Sequence, residues 1–195
     1  MAEAATKTRD GAATRARIER EALRLFATKG VDGATIRDLS QAVGVADAAL
    51  YRYFGSKEAL ARDLFQRHYA ALAGAIAEIG AQDLSFARSV AQIVAHVCQL
   101  FDEEPDAFAF VLLNQHAYLR YVREDANAVA EVLRIVRRAQ ARGEIVAQDA
   151  ELAAAMALGA ALQPAVFKLY GRLPGPLEPR APALARAALA AAGAA

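Results

Sequence analysis

Tryptophan is absent from this 195-residue chain, and cysteine occurs once. A single thiol, Cys98, excludes an internal disulfide and fits a reducing compartment. Histidine is scarce as well, with three residues. Neither His96 nor His116 has a second donor at i+3 or i+4, so no metal and no other cofactor is expected. The chain also lacks an excess of charge, with 23 basic against 22 acidic residues. Residues 1–60 hold ten basic and eight acidic side chains, so any nucleic acid must be held by a few well-placed cations rather than by a basic domain. Long apolar runs are missing too. The longest, Leu152–Leu162, has eleven residues, well short of a membrane span. The opening "MAEAATKTRDGAATRAR" has no apolar centre for a secretory signal. The expectation is a cytoplasmic protein with no membrane partner.

Strand-like runs of Val, Ile and Thr between turn residues are equally rare, whereas alanine is abundant and hydrophobic residues make up 56 % of the chain. That mixture favours an all-α fold with an ample core. Residues 1–13 are small and polar and are expected to form a flexible arm, in which Lys7 and Arg9, with Arg15 and Arg17 beyond it, supply mobile positive charge. Ile18, Ala22, Leu25 and Phe26 then recur on one helical face that Gly30 should end. Thr35 with Asp38 three residues later predicts a capping box opening a short helix to Gly44. A second short helix ends near Phe54, and Ser56 is placed to cap a long helix carrying Leu60, Leu64, Phe65, Tyr69 and Leu72. Further helices are expected over 84–102, 106–121 and 124–142, then from Asp149 through Pro164, and finally from Ala183 onward. Four of the six prolines fall in "RLPGPLEPRAP", which reads as a loop. The count is about nine helices.

Gly44 lies between two short helices whose Leu39, Val43, Val45 and Leu50 supply apolar contacts, with the small Ser40 allowing close approach. This is the spacing of a helix-turn-helix, in which the first helix braces and the second enters the major groove. The segment "ATIRDLSQAVGVADAALYRYFGSKEAL", Ala34 to Leu60, resembles the DNA-binding segment of the tetracycline-repressor (TetR) family. The likeness rests on the Thr-x-Arg start, Gly44-Val45, the Leu50-Tyr51-x-Tyr53-Phe54 run and Ser56-Lys57-Glu58-x-Leu60. It implies a homodimeric transcriptional regulator, usually a repressor. A helix-turn-helix domain over 14–55 would read half-sites of a palindromic double-stranded operator. Residues 56–195 would dimerise and enclose a pocket for a small organic effector.

Within that frame Thr35 offers a hydroxyl and an N–H to phosphate, Tyr51 and Tyr53 offer phenols, and Ser56 with Lys57 forms a second phosphate grip. Arg37 touches a base or the backbone, Arg52 is a weaker candidate, and Phe54 belongs to the core. Many relatives resemble Ser-x-Gly-Thr where this chain has Ala46-Asp47-Ala48-Ala49. Asp47 is therefore expected to cap the helix by accepting from Ala49 or Leu50, or else to accept from a cytosine amine. Ala48 and Ala49 can meet thymine methyls. Across 84–122, His96, Asn114, His116 and Tyr118 are the polar groups expected at the effector pocket. The segments "ELAAAMALGAALQPAVFKLY" and "PALARAALAAAGAA" are apolar on more than one face and predict a four-helix dimer interface. A helical enzyme or carrier with a vestigial helix-turn-helix is the alternative. No nucleophile–base set or Gly-rich phosphate loop supports it, so no enzymatic activity is expected.

Overall fold

A computed structural model describes residues 2–123 and 126–194, with side chains from Gly11 onward. Ten α-helices and no strand occur among the described residues. They are α1 (Ala2–Gly33), α2 (Ile36–Val43), α3 (Asp47–Phe54), α4 (Lys57–Ala81) and α5 (Phe86–Glu103), followed by α6 (Pro105–Leu113), α7 (Gln115–Tyr118), α8 (Ala128–Ala141), α9 (Ala150–Leu169) and α10 (Ala181–Ala191). The backbone of α1 is already helical within the segment expected as an arm, and the side chains of Lys7 and Arg9 lie outside the described residues. The single helix expected over 106–121 is broken. Asn114 stands at φ −112° and ψ 14°, turns its amide onto the Phe110 carbonyl at 2.8 Å, and leaves one turn of α7 and a 3₁₀ turn, Leu119–Tyr121.

The chain divides into two compact units, residues 1–68 with 106–121, and residues 69–105 with 122–195. The first unit takes in more than the 14–55 segment because aromatic rings tie it together. Phe110 of α6 lies 5.6 Å from Phe26 of α1 and 6.3 Å, edge-on, from Phe65 of α4. Each such pair adds roughly 0.5–1.5 kcal/mol beyond area burial. The predicted stripe of Ile18, Ala22, Leu25 and Phe26 is buried, as are Leu60, Leu64 and Phe65. Gly30 interrupts α1 at φ 73°, a value that costs a side chain strain and glycine almost nothing.

In the second unit α9 and α10 pack on each other, α10 on α5, and α8 on α9. Asp149 caps α9 by accepting from the Leu152 N–H at 2.8 Å, as its position in the sequence suggests. Pro164 lies inside α9, which continues through it to Leu169. The proline-rich segment is pinned rather than loose. Asp102 of α5 accepts from the N–H groups of Leu177 and Glu178, both at 2.8 Å, and a 3₁₀ turn over Glu178–Arg180 leads into α10. Cys98 is buried on α5, and burial, with Asp102 and Glu178 adding to it, pushes its thiol up to about 11. A thiol so raised is un-ionised at neutral pH and a poor nucleophile. In length and composition α9 meets the requirement for crossing a membrane, with a mean hydropathy of 1.5, yet only 22 % of that stretch is buried. An apolar stripe therefore stands open on it, with Met156 39 %, Phe167 50 % and Tyr170 66 % exposed.

Candidate nucleic-acid interface

The first unit builds a braced pair of short helices. In α2, Leu39, Ser40 and Val43 point inward, and Gly44 ends the helix in the left-handed region at φ 72°, ψ 39°. Its N–H returns to the Ser40 carbonyl at 2.8 Å, and that of Val45 does so at 3.0 Å. A residue with a Cβ would strain this turn, so glycine sets the angle between bracing and reading helices. Leu50, 2 % exposed, is the buried anchor of α3.

At 100° per residue, the exposed positions Asp47, Ala48, Tyr51 and Arg52 form one continuous face of α3. Tyr51 is half exposed, at 50 %. Tyr53 and Ala49 lie off that face. Tyr53 is half-buried with its ring 6.2 Å from that of Phe54, so it joins the packing rather than the open surface. Arg52, by contrast, shares the face with Tyr51. The i, i+4, i+5 pattern from Asp47 carries that signal in the sequence. Phe54 is half-buried beneath the guanidinium of Arg15, 5.1 Å from its centroid.

Arg15 does not belong to a mobile arm. It pairs with Glu19 at 3.0 Å and approaches Asp63 at 3.8 Å, while Arg67 pairs with the same two carboxylates at 3.0 and 3.2 Å. This four-charge cluster fastens α1 to α4. Arg17 and Arg37 are exposed on α1 and α2.

Three expected contacts are corrected by the hydrogen bonds. First, Thr35 caps α2 as predicted, but the N–H and hydroxyl assigned to a phosphate are both given to Asp38 Oδ2, at 2.8 and 2.7 Å. The Asp38 N–H returns to Thr35 Oγ1 at 3.0 Å. A phosphate would have to displace a carboxylate there. Second, Lys57 turns inward. Its Nζ donates to the carbonyls of Val31 at 2.6 Å and Ala34 at 2.8 Å, and the side chain is 16 % exposed. It braces the turn between α1 and α2 against the start of α4. Third, Asp47 does not cap α3. The N-cap position is held by Ala46 without a side-chain bond, and Asp47 is the first helical residue. A carboxylate at that position acts through the helix dipole, worth about 0.3–1 kcal/mol. Ser56 does cap α4, accepting from the Ala59 N–H at 3.0 Å.

Asp47→Ala should therefore lower folding stability by no more than about 1 kcal/mol in chemical denaturation, the helix-dipole contribution alone, since it removes no side-chain bond; its main effect should fall on DNA preference. Asp38 is the opposite case. Lys29, 2.9 Å away, and the Thr35 donors hold the Asp38 carboxyl well below the usual carboxylate range. The resulting stability is complete above the unfolded-state pKa, about 3.9, and disappears as pH falls through the lower folded value. The stability gap between wild type and Asp38→Asn should accordingly be constant from pH 7 to about 5 and narrow steadily below pH 4. A gap that widens on acidification would contradict it.

The four polar groups expected at an effector pocket are divided between the two units. His96 belongs to the second unit, and Asn114, His116 and Tyr118 to the first. Asn114 is spent on the Phe110 carbonyl, His116 is exposed, and Tyr118 stacks 5.3 Å from Phe65. Burial, with Asp32 and Glu58 adding to it, raises the Tyr118 phenol above its ordinary value. The described space in the second unit is instead a hydrocarbon-walled hollow that includes Phe86, Val90, Val132, Ile135, Ala161 and Ala188.

A glycine-ended bracing helix followed by a helix with one exposed polar face defines a helix-turn-helix DNA-binding domain on an all-helical body. Residues 18–64 match the profile of the bacterial regulatory proteins of the tetR family. Over 85 residues it is 29 % identical to the HTH-type transcriptional repressor KstR2 of Rhodococcus jostii, a match covering 44 % of this chain and 42 % of that repressor. Its fold is similar to that of the TetR-family regulator PfmR of Thermus thermophilus, with TM-score 0.72, 23 % identity and coverage of 89 % of this chain and 97 % of that one. A TetR-family regulator of Marinobacter aquaeolei gives TM-score 0.74 at 17 % identity, over 97 % of this chain and all of the other. At such identities the structures share the fold alone.

Proposed function

We propose that this transcriptional regulator is a repressor that binds a palindromic double-stranded operator as a homodimer and leaves it when a small organic effector binds the second unit. The observation that carries the reading is the exposed face of α3, Asp47, Ala48, Tyr51 and Arg52, held on a rigid brace. Tyr51 and Arg52 supply donors for phosphate or base edges, and Ala48 can meet a thymine methyl. Arg37 and Ser56 add to the grip from α2 and the start of α4, and the free N–H groups at the start of α2 replace Thr35. The name of the KstR2 relative supports the sign of regulation.

The open apolar stripe of α9 supports dimerisation, because a second copy presenting the same stripe would cover both. Residues of α4 belong to both units, so an effector that displaces its C-terminal half would alter the spacing of the two reading heads. Heads set for half-sites about one helical turn apart lose affinity when that spacing shifts. The test is a salt-controlled mobility shift on the DNA upstream of its own gene against random DNA. Retention of the upstream DNA at least 10³-fold tighter supports a regulator; equal retention would mean an architectural binder, and none would leave the helix-turn-helix vestigial.

A further inference from the structure

One side chain on the exposed face of α3 carries the wrong charge for a DNA groove. Asp47 is exposed at the first position of the helix, and among the described residues its carboxylate has no hydrogen bond and no ion pair. Nor is it needed to finish the helix end, because the Ala49 N–H already returns to the Ala46 carbonyl at 2.8 Å. Its surroundings are bare. Ala46, Ala48 and Ala49 place only methyl groups beside it. Nothing longer holds α3 away from base edges that a side chain as short as aspartate must approach closely.

Arg52 stands at the opposite border of the same face, about 140° around the helix and about 7.5 Å along its axis. A guanidinium is drawn to the negative field of any duplex, whatever its sequence. A carboxylate is the reverse. Entering the groove, it is repelled by the phosphates on both sides and meets acceptor atoms on most base edges. Guanine shows N7 and O6, thymine shows O4, and adenine sets its N7 acceptor beside the N6 amine. Cytosine alone shows an amine with no acceptor of its own in the major groove. A carboxylate stripped of water without a donor is costly, so Asp47 penalises the other bases more than it rewards cytosine.

We infer that Asp47 is a specificity-determining residue: its carboxylate accepts from the N4 amine of a cytosine in the major groove of each half-site and excludes the other three bases there. The assignment rests on the regulator reading above and goes beyond it by naming a base that the operator must contain.

The test is selection from random duplexes by three full chains, wild type, Asp47→Asn and Asp47→Ala, followed by titration of the recovered sequence with each base replaced in turn. Residue 47 makes no side-chain bond, so all three chains fold. Wild type should bind cytosine at one position of each half-site at least about fivefold more tightly than any other base. Asparagine pairs with adenine N6 and N7, so Asp47→Asn should prefer adenine at that same position. Asp47→Ala should show no preference there and, with the repulsion removed, should retain random DNA several-fold more tightly at low salt. An inverted repeat with the same base preferences for all three chains would overturn the assignment and leave the regulator reading standing. So would a position that follows residue 47 but prefers another base in the wild type. If the wild-type chain enriches no sequence, the regulator reading fails and the assignment falls with it.

Discussion

Lys57→Met should lower the stability of the first unit by about 2–3 kcal/mol and leave the salt dependence of DNA binding unchanged. The ammonium satisfies two backbone carbonyls, Val31 and Ala34, in the turn that joins α1 to α2, at 2.6 and 2.8 Å. Methionine keeps the length and apolar stem but leaves both acceptors without a donor, and bonds to a charged partner are worth more than neutral ones. Urea unfolding measures the first half of the expectation. The second is the slope of log K against log salt, which becomes shallower by about 0.9 for each phosphate that the protein ceases to neutralise. A brace weakens binding at every salt concentration with the slope intact. A shallower slope with unchanged stability would restore Lys57 to the phosphate grip.

Met156→Arg should make the chain monomeric and reduce operator affinity by at least a hundredfold. Met156 sits in the open stripe of α9 with Phe167 and Tyr170, and in a two-fold interface each substitution meets its own copy or its neighbours, so charge is introduced twice. Linking two heads raises avidity by about 10²–10⁴ over one, and that factor is what dissociation removes. Sedimentation velocity reads the assembly and a mobility shift reads the affinity. A dimer that survives the substitution would place the interface elsewhere, and a chain that instead partitions onto vesicles would assign the stripe to a membrane.

Where local chemistry decides the outcome, the sequence is legible. The Thr35–Asp38 box, Gly44 at a left-handed turn, Ser56 and Asp149 as caps, and the stripe on α1 all depend on residues close together in the chain. Side-chain destinations set by distant partners are not. Lys57 bonds to carbonyls 23 and 26 residues away, and Asp102 to N–H groups 75 and 76 residues away. A lysine beside a reading helix looks like a phosphate contact until the carbonyls it satisfies are located. Thr35 reads correctly as a cap, and the same reading implies that its donors are engaged, because a complete capping box leaves none spare. For the pocket, polar residues draw attention along 84–122, whereas the wall found in the second unit is wholly apolar and spread over four helices. Valine and alanine on helices carry no mark that separates a cavity wall from a packed core.

The central claim is that the exposed face of α3 reads a two-fold operator, and recovery of bound DNA from a random pool by the 195-residue chain tests it most directly. The account predicts enrichment of one sequence in inverted repeat, with half-site centres about one helical turn or a multiple apart. It also predicts that Arg52→Ala weakens retention of that sequence by about 1–3 kcal/mol or relaxes its base preference. A pool that emerges without an enriched repeat, or an Arg52→Ala chain that selects the same sequence with equal affinity, would contradict it.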